Sequence, residues 1–153
     1  MAIRNIVKEG DPVLNKVCRP VVKFDARLAE LIDDMIETNA AANGAGLAAP
    51  QVGILRRVVV IDVGDGQIYE LVNPTIIAKS GTQKELEGCL SCPDVWGYTK
   101  RPAWVKVKAQ DRHGVFHEYE GRELLARAFC HELDHLDGVL FRKRVIEYVE
   151  MDD

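Results

Sequence analysis

The 153-residue chain lacks what several protein classes require. Its unbroken apolar runs are only a few residues long, far short of the roughly 20 that a membrane-spanning helix needs. No basic surplus is present either. Asp and Glu number 24 against 20 Lys and Arg, a formal net charge of −4, which argues against direct nucleic-acid binding. Glycine and proline show no excess and no repeat or low-complexity stretch occurs, which excludes collagen-like, disordered and coiled-coil chains. No linker divides the sequence, so one domain over 1–153 is expected, with an acidic tail from about residue 147. Residues 1–20 alternate charge with isolated hydrophobes and include Asp11-Pro12, unlike a signal peptide. A soluble, cytoplasmic protein is the expectation. Cysteine is sparse as well, at positions 18, 89, 92 and 130; in a chain of this kind a reduced thiol or a metal ligand is favoured over disulfides.

What is present organises itself by periodicity. Leu28, Leu31, Ile32, Met35 and Ile36 recur at i, i+3, i+4, i+7 and i+8, which predicts an amphipathic helix over 25–43 with Asp25 as its N-cap. Asn43-Gly44 tolerates the left-handed conformation that ends such a helix. The β-branched run Val58-Val59-Val60-Ile61 reads as a buried strand, with shorter strands expected at 68–72, 75–78, 105–108 and 115–119. A second helix is expected from about Gly121 to Leu136, stopped near Asp137-Gly138. Helix, strands, then helix indicates an α+β fold rather than a βαβ repeat. Glu147 onwards reads as a frayed helix or a tail.

The sharpest local signal is His131-Glu132-Leu133-Asp134-His135. Four helical positions advance about 400°, so the two imidazoles differ by ~40° and can grip one ion from one face. Glu132 projects ~100° away, where it can act as general base on a water. The bland alternative is a helix surface bearing two histidines by chance. A catalytic site of this kind needs a third protein ligand and one open position. The downstream position that could complete an extended histidine motif is Phe141, which binds no metal, and Glu147 and Glu150 are weak candidates. An upstream ligand is favoured.

Upstream lie Glu87-Gly88-Cys89-Leu90-Ser91 and, earlier, Gly44-Ala45-Gly46-Leu47-Ala48-Ala49-Pro50-Gln51. Cys89 offers a thiolate, and Gly88 lets another backbone approach. Cys89 and Cys92 also form a Cys-x-x-Cys pair, but neither the second pair of a zinc ribbon nor the βαβ context of a thioredoxin-like couple is present. The glycine-rich stretch fails as a phosphate loop, lacking the terminal Gly-Lys-Ser/Thr. Its small residues suit either an exposed backbone for an extended peptide or an ordinary helix-to-loop junction.

Together, in this order, the three segments resemble the signature of the peptide deformylases: Gly-x-Gly-x-Ala-Ala-x-Gln, Glu-Gly-Cys-x-Ser and His-Glu-x-x-His. The resemblance covers most of the chain, from the first helix to about Phe141. It implies small antiparallel or mixed sheets packed around a central C-terminal metal-binding helix, together with an N-terminal amphipathic helix. Cys89, His131 and His135 would hold one divalent metal ion, Fe²⁺ by expectation, with Zn²⁺, Ni²⁺ or Co²⁺ as alternatives. The implied substrate is the N-formylmethionyl end of nascent chains, and formate the product. The Gln51 amide and the Leu90 backbone N–H would stabilise the oxyanion, while Ala45, Gly46 and Gly88 would pair with the peptide backbone. Some relatives dock on the ribosome through a basic C-terminal helix; nothing basic enough follows Ile146.

Leu124, Ala128 and Gly44 form a candidate pocket for the methionine side chain, core packing being the alternative. Arg127 on the same stripe is expected at a rim or in solvent. Glu87 and Arg101 read either as a clamp behind the Cys89 segment or as a surface ion pair. Trp96 lines the groove or is a buried structural residue. Two rivals compete: a zinc peptidase with a downstream ligand, and a binding module whose closed zinc site adds Cys92 as fourth ligand.

Overall fold

The structure, a computed structural model, describes residues 2–150. Asp25 starts the first helix, α1 (Ala26–Ala41), by accepting from the Leu28 amide at 3.1 Å. Asn43 then takes φ 54°, as the Asn-Gly stop predicts. Eight strands follow in two antiparallel sheets. One holds β1 (Gly46–Ala48), β2 (Val58–Ile61), β3 (Tyr69–Ser80), β6 (Trp104–Gln110) and β7 (Phe116–Arg122), in the order β1-β2-β3-β6-β7. The other holds β4 (Gln83–Cys89), β5 (Cys92–Arg101) and β8 (Val145–Val149), in the order β4-β5-β8. Helix α2 runs Glu123–Leu136, two residues shorter at its start than the sequence suggests. The fold is α+β with antiparallel sheets.

The unbroken run in β2 has a simple cause: both faces of the five-stranded sheet are covered. Val59 and Ile61 join the apolar cluster with Ala126, Phe129 and Leu136 of α2. Val58 and Val60 join the opposite cluster with Leu28, Leu31, Ile32 and Met35 of α1. Each such side chain contributes roughly 1.5–3 kcal/mol through burial. At its far end α2 is capped by Arg57, whose Nη1 donates to the Leu136 carbonyl at 3.1 Å and whose Nη2 pairs with Asp137 at 3.0 Å. Gly138, at φ 75°, then turns the chain where any Cβ would lie 2.7 Å from the Asn15 backbone.

Three expectations require correction. The strands expected at 68–72 and 75–78 are one strand, β3, with a register shift around Asn73-Pro74. Asn73, at φ 52°, fills the shift by exchanging hydrogen bonds with the Val21 backbone. Residues 147–149 are neither a frayed helix nor a tail: they belong to β8, with Glu147 opposite Tyr98 of β5 and 3.4 Å from Lys84. Residues 151–153 lie outside the described residues. Finally, β4 and β5 form the longest hairpin of the smaller sheet, where the sequence pattern suggested no strands. Among the described residues, no helix is long and apolar enough to cross a membrane.

Candidate active site

His131 and His135 share one face of α2, both buried, with ring centroids 5.1 Å apart. The hairpin turn at Leu90-Ser91 brings Cys89, at the end of β4, to them: Sγ lies 3.4 Å from His135 Nε2. Ligand atoms of Cys89, His131 and His135 all fall within 4.8 Å of one another, and Cys92 is outside this group. The closed four-ligand site with Cys92 therefore has no support.

Behind His131 stands a buried chain of charge. Glu87 Oε1 lies 2.5 Å from His131 Nδ1. A neutral ring that donates its Nδ1 proton there would leave Nε2 free to bind an ion. Glu87 also accepts from Thr99 Oγ1 and Arg101 Nη2, each at 2.7 Å. Arg101 Nη1 continues to Asp134 at 2.7 Å. Arg101 is only 5% exposed, so the surface-pair alternative for Glu87 and Arg101 is wrong. Burial pushes the Glu87 carboxyl up, but the His131 hydrogen bond and the Arg101 guanidinium outweigh it and hold it at about 2.

Glu132 is buried beside the cluster, its Oε2 3.9 Å from His131 Nε2. Burial lifts its pKa to about 7, against the attraction of His131. Its Oε1 is buried without a hydrogen-bond partner among the described residues. Burial opposes the charged form of His131, yet the carboxylates of Glu132 and Glu87 raise its pKa. Burial and the neighbouring His131 press His135 well below the usual histidine range. One sulfur and two imidazoles beside an unpartnered carboxylate oxygen form a donor set that fits a divalent ion.

An open cavity of about 420 Å³ fronts these groups. It lies between two sheet edges, since β1 ends the larger sheet and β4 the smaller one. Gly44, Ala45 and Gly46 line one side, and Gly88, Cys89 and Leu90 the other. These three glycines leave no room for a side chain, and at Gly44 a Cβ would press on Asn39 Oδ1 and lie 2.7 Å from Leu90 Cδ1. A Cβ on Gly46 would sit 2.8 Å from Glu132 Cγ, and one on Gly88 would sit 2.7 Å from the Trp96 ring. Gln51 is buried in a 3-10 turn (Ala49–Val52), its Oε1 accepting from the Ala48 amide at 2.9 Å. Its Nε2 donates to Ser91 Oγ at 3.0 Å and lies 3.6 Å from Cys89 Sγ.

Leu124 and Ala128 both line the cavity, the former 43% exposed and the latter buried. Arg127 lines it too and donates to Gln83 at 2.9 Å. Trp96 is 38% exposed along the wall, a groove residue rather than a core one. Sequence reasoning missed Leu86, Thr99, Ser91 and Asp134. For the last two a signal existed, since they lie inside the motifs that carry Cys89 and His135.

A model of the polypeptide deformylase family matches residues 3–150. The chain belongs to that family. Polypeptide deformylases are metal-dependent enzymes that remove the formyl group from nascent peptides. The peptide deformylase of Acetivibrio thermocellus is 56% identical over 153 residues, covering 100% of this chain and 89% of the relative. That of Alkaliphilus metalliredigens is 56% identical over 147 residues, covering 96% and 99%. The crystal structure of the deformylase from Thermotoga maritima superposes with a TM-score of 0.90 at 44% identity, covering 94% of this chain and 97% of that one. All three sequence motifs fall inside the span matched by the deformylase family.

Proposed function

We propose that this chain is a cytoplasmic, single-domain amide hydrolase that removes the formyl group from N-formylmethionyl peptide ends and releases formate. The observation that carries the proposal is the convergence of Cys89, His131 and His135 beside the unpartnered Glu132 Oε1. In it α2 is the metal-binding helix, and Fe²⁺ is the expected ion, with Zn²⁺, Ni²⁺ and Co²⁺ tolerated by the same donors. A divalent ion held there supplies Lewis acidity for carbonyl polarisation and for acidifying water at neutral pH.

The chain's own residues carry the rest. Glu132, with its pKa raised to about 7, takes a proton from the attacking water at its carboxylate and returns it to the departing amine nitrogen. The Gln51 Nε2 and the Leu90 N–H face the developing oxyanion. Ser91 and the Ala48 amide hold the Gln51 side chain, so its donor is oriented before substrate arrives. The substrate backbone runs between the edges of β1 and β4, pairing near Ala45, Gly46 and Gly88 as an added strand. Gly44, Leu124 and Ala128 receive the methionine side chain. The peptidase rival needs a downstream ligand, and no downstream residue joins the cluster among the described residues.

Formate release from formyl-Met-Ala-Ser by protein purified anaerobically with Fe²⁺ or Ni²⁺ tests this directly. Release that collapses in Glu132→Ala and Cys89→Ala is expected. A folded, metal-loaded protein that releases no formate would refute it.

A further inference from the structure

The proposed reaction uses the Cys89 sulfur and leaves Cys92 without a part. Yet the two residues are directly opposed partners in the β4-β5 ladder, closing the two-residue turn Leu90-Ser91. Directly opposed residues in an antiparallel pair project to the same side of the sheet. In a regular antiparallel ladder the Cα atoms of such a pair stand about 4.5–5.5 Å apart, inside the roughly 4.4–6.8 Å that a disulfide spans. Both residues line the same cavity. Cys92 is 2% exposed, and Cys89, half-buried, is the more accessible of the two. Cys18 and Cys130 lie in the apolar cluster between α2 and the larger sheet, away from the cavity lining.

The turn itself is pinned from outside. Ser91 accepts from the Glu9 amide at 2.8 Å through its carbonyl and from Gln51 through its hydroxyl. The ladder shifts register between Glu87 and Cys89, yet it resumes at the Cys89–Cys92 pair, and the pinned turn keeps these two residues side by side.

We propose that Cys89 and Cys92 form a reversible disulfide when a hydroperoxide enters the cavity, withdrawing the Cys89 sulfur from the metal-ligand set. The withdrawal rests on the ligand role given to Cys89 above; the pairing does not. In the first step the Cys89 sulfur attacks the peroxide. The O–O bond breaks, an S–O bond forms, and water or an alcohol leaves. In the second, the Cys92 sulfur attacks the sulfenic acid, the S–S bond forms, and the hydroxyl departs as water with the Cys92 proton. The two thiols together lose two electrons and two protons, and the hydroperoxide is reduced to an alcohol, or to water, plus one water. Without Cys92 a second hydroperoxide attacks the sulfenic acid, giving up an oxygen to form sulfinic acid and leaving as water or an alcohol, and a dithiol does not reverse this. Cys92 thus converts a permanent loss of the sulfur ligand into one that a reductant repairs.

The test uses Zn²⁺-loaded protein, because Fe²⁺ itself consumes peroxide, treated with about one equivalent of hydrogen peroxide for the two-electron oxidation. Intact mass, non-reducing peptide mapping and Zn²⁺ release to a chromogenic chelator are read together. A mass loss of about 2 Da, a peptide joining Cys89 to Cys92, and release of the ion are expected, with dithiothreitol and fresh Zn²⁺ restoring full occupancy. Cys92→Ser and Cys92→Ala, each checked for folding by thermal melt and given about two equivalents because each peroxide delivers one oxygen, should instead gain about 32 Da at Cys89 and fail to recover. Direct overoxidation in the parent protein, or a disulfide between chains or through Cys18 or Cys130, would overturn the proposal. A Cys89–Cys92 bond formed with Zn²⁺ still held would uphold the pairing and refute the ligand role of Cys89.

Discussion

One oxygen of Glu87 serves two partners: Oε1 lies 2.7 Å from Arg101 Nη2 and 2.5 Å from His131 Nδ1. Ionised Glu87 therefore fixes the ring of His131 while Arg101 balances its charge away from water. Removing a single member exposes the others to an uncompensated burial cost. Arg101→Ala should destabilise the protein by about 3–5 kcal/mol, the range for breaking a buried pair, measured as a shift in denaturant midpoint. Glu87→Gln should weaken metal binding about 10- to 100-fold through loss of ring orientation and basicity. Competition against a chelator of known affinity reads that loss.

Gly46 bears on the base more directly. Its missing side chain leaves room for Glu132, whose Cγ and Oε2 would be 2.8 and 2.9 Å from an added Cβ. Gly46→Ala must push the carboxylate aside or bend β1 away from α2. A fall in kcat of roughly 10- to 100-fold is expected, since small misplacements of a catalytic group are costly. Metal content by mass spectrometry should be unchanged, separating this effect from loss of a ligand.

Far from the cavity, Asp34 ties the first residues to α1. The Ala2 amide donates to its Oδ1 at 2.7 Å and Arg4 Nε to its Oδ2 at 2.9 Å. The Ala2 hydrogen bond, with help from Arg4 and against the burial that opposes it, holds the Asp34 carboxyl below its usual pKa. A depressed carboxyl contributes stability that is complete above the unfolded value of about 3.9 and vanishes as pH falls through the folded value. Asp34→Asn should cost about 1–2 kcal/mol at neutral pH. The gap to the parent protein should close as unfolding curves are collected at successively lower pH in the acid range. A gap independent of pH would show that charge plays no part.

Sequence pattern was a good guide where burial and chemistry agreed. Asp25 caps α1 as read, Val58–Ile61 is a strand buried on both faces, and the two histidines of α2 share one side. It failed on β4 for a physical reason. In Gln-Lys-Glu-Leu-Glu-Gly-Cys the buried side chain is Glu87, while Leu86 is 40% exposed along the cavity wall. The usual alternation is inverted because this strand faces a site rather than a core. β8 was obscured similarly, since Glu147 looks like tail acidity until Lys84 and the β5 ladder are seen beside it. The Arg101 link spans 14 residues to Glu87 and 33 to Asp134, separations that no local period reveals.

Ser91 offers the finest test of how Gln51 is held. Gln51 is 1% exposed, and its Nε2 has Ser91 Oγ as its nearest acceptor at 3.0 Å, with Cys89 Sγ at 3.6 Å. Removing the hydroxyl leaves the amide held only through Oε1 by the Ala48 N–H, loosening the donor without removing it. Ser91→Ala should lower kcat by about 10-fold, less than the ~10²-fold or more expected when an oxyanion donor is deleted outright, as in Gln51→Ala. KM should change little in both, because the interaction develops with charge in the transition state. Ser91→Thr, which retains a hydroxyl acceptor, should recover part of the rate. If Ser91→Ala instead raises KM at constant kcat, Gln51 acts on substrate binding rather than on the oxyanion.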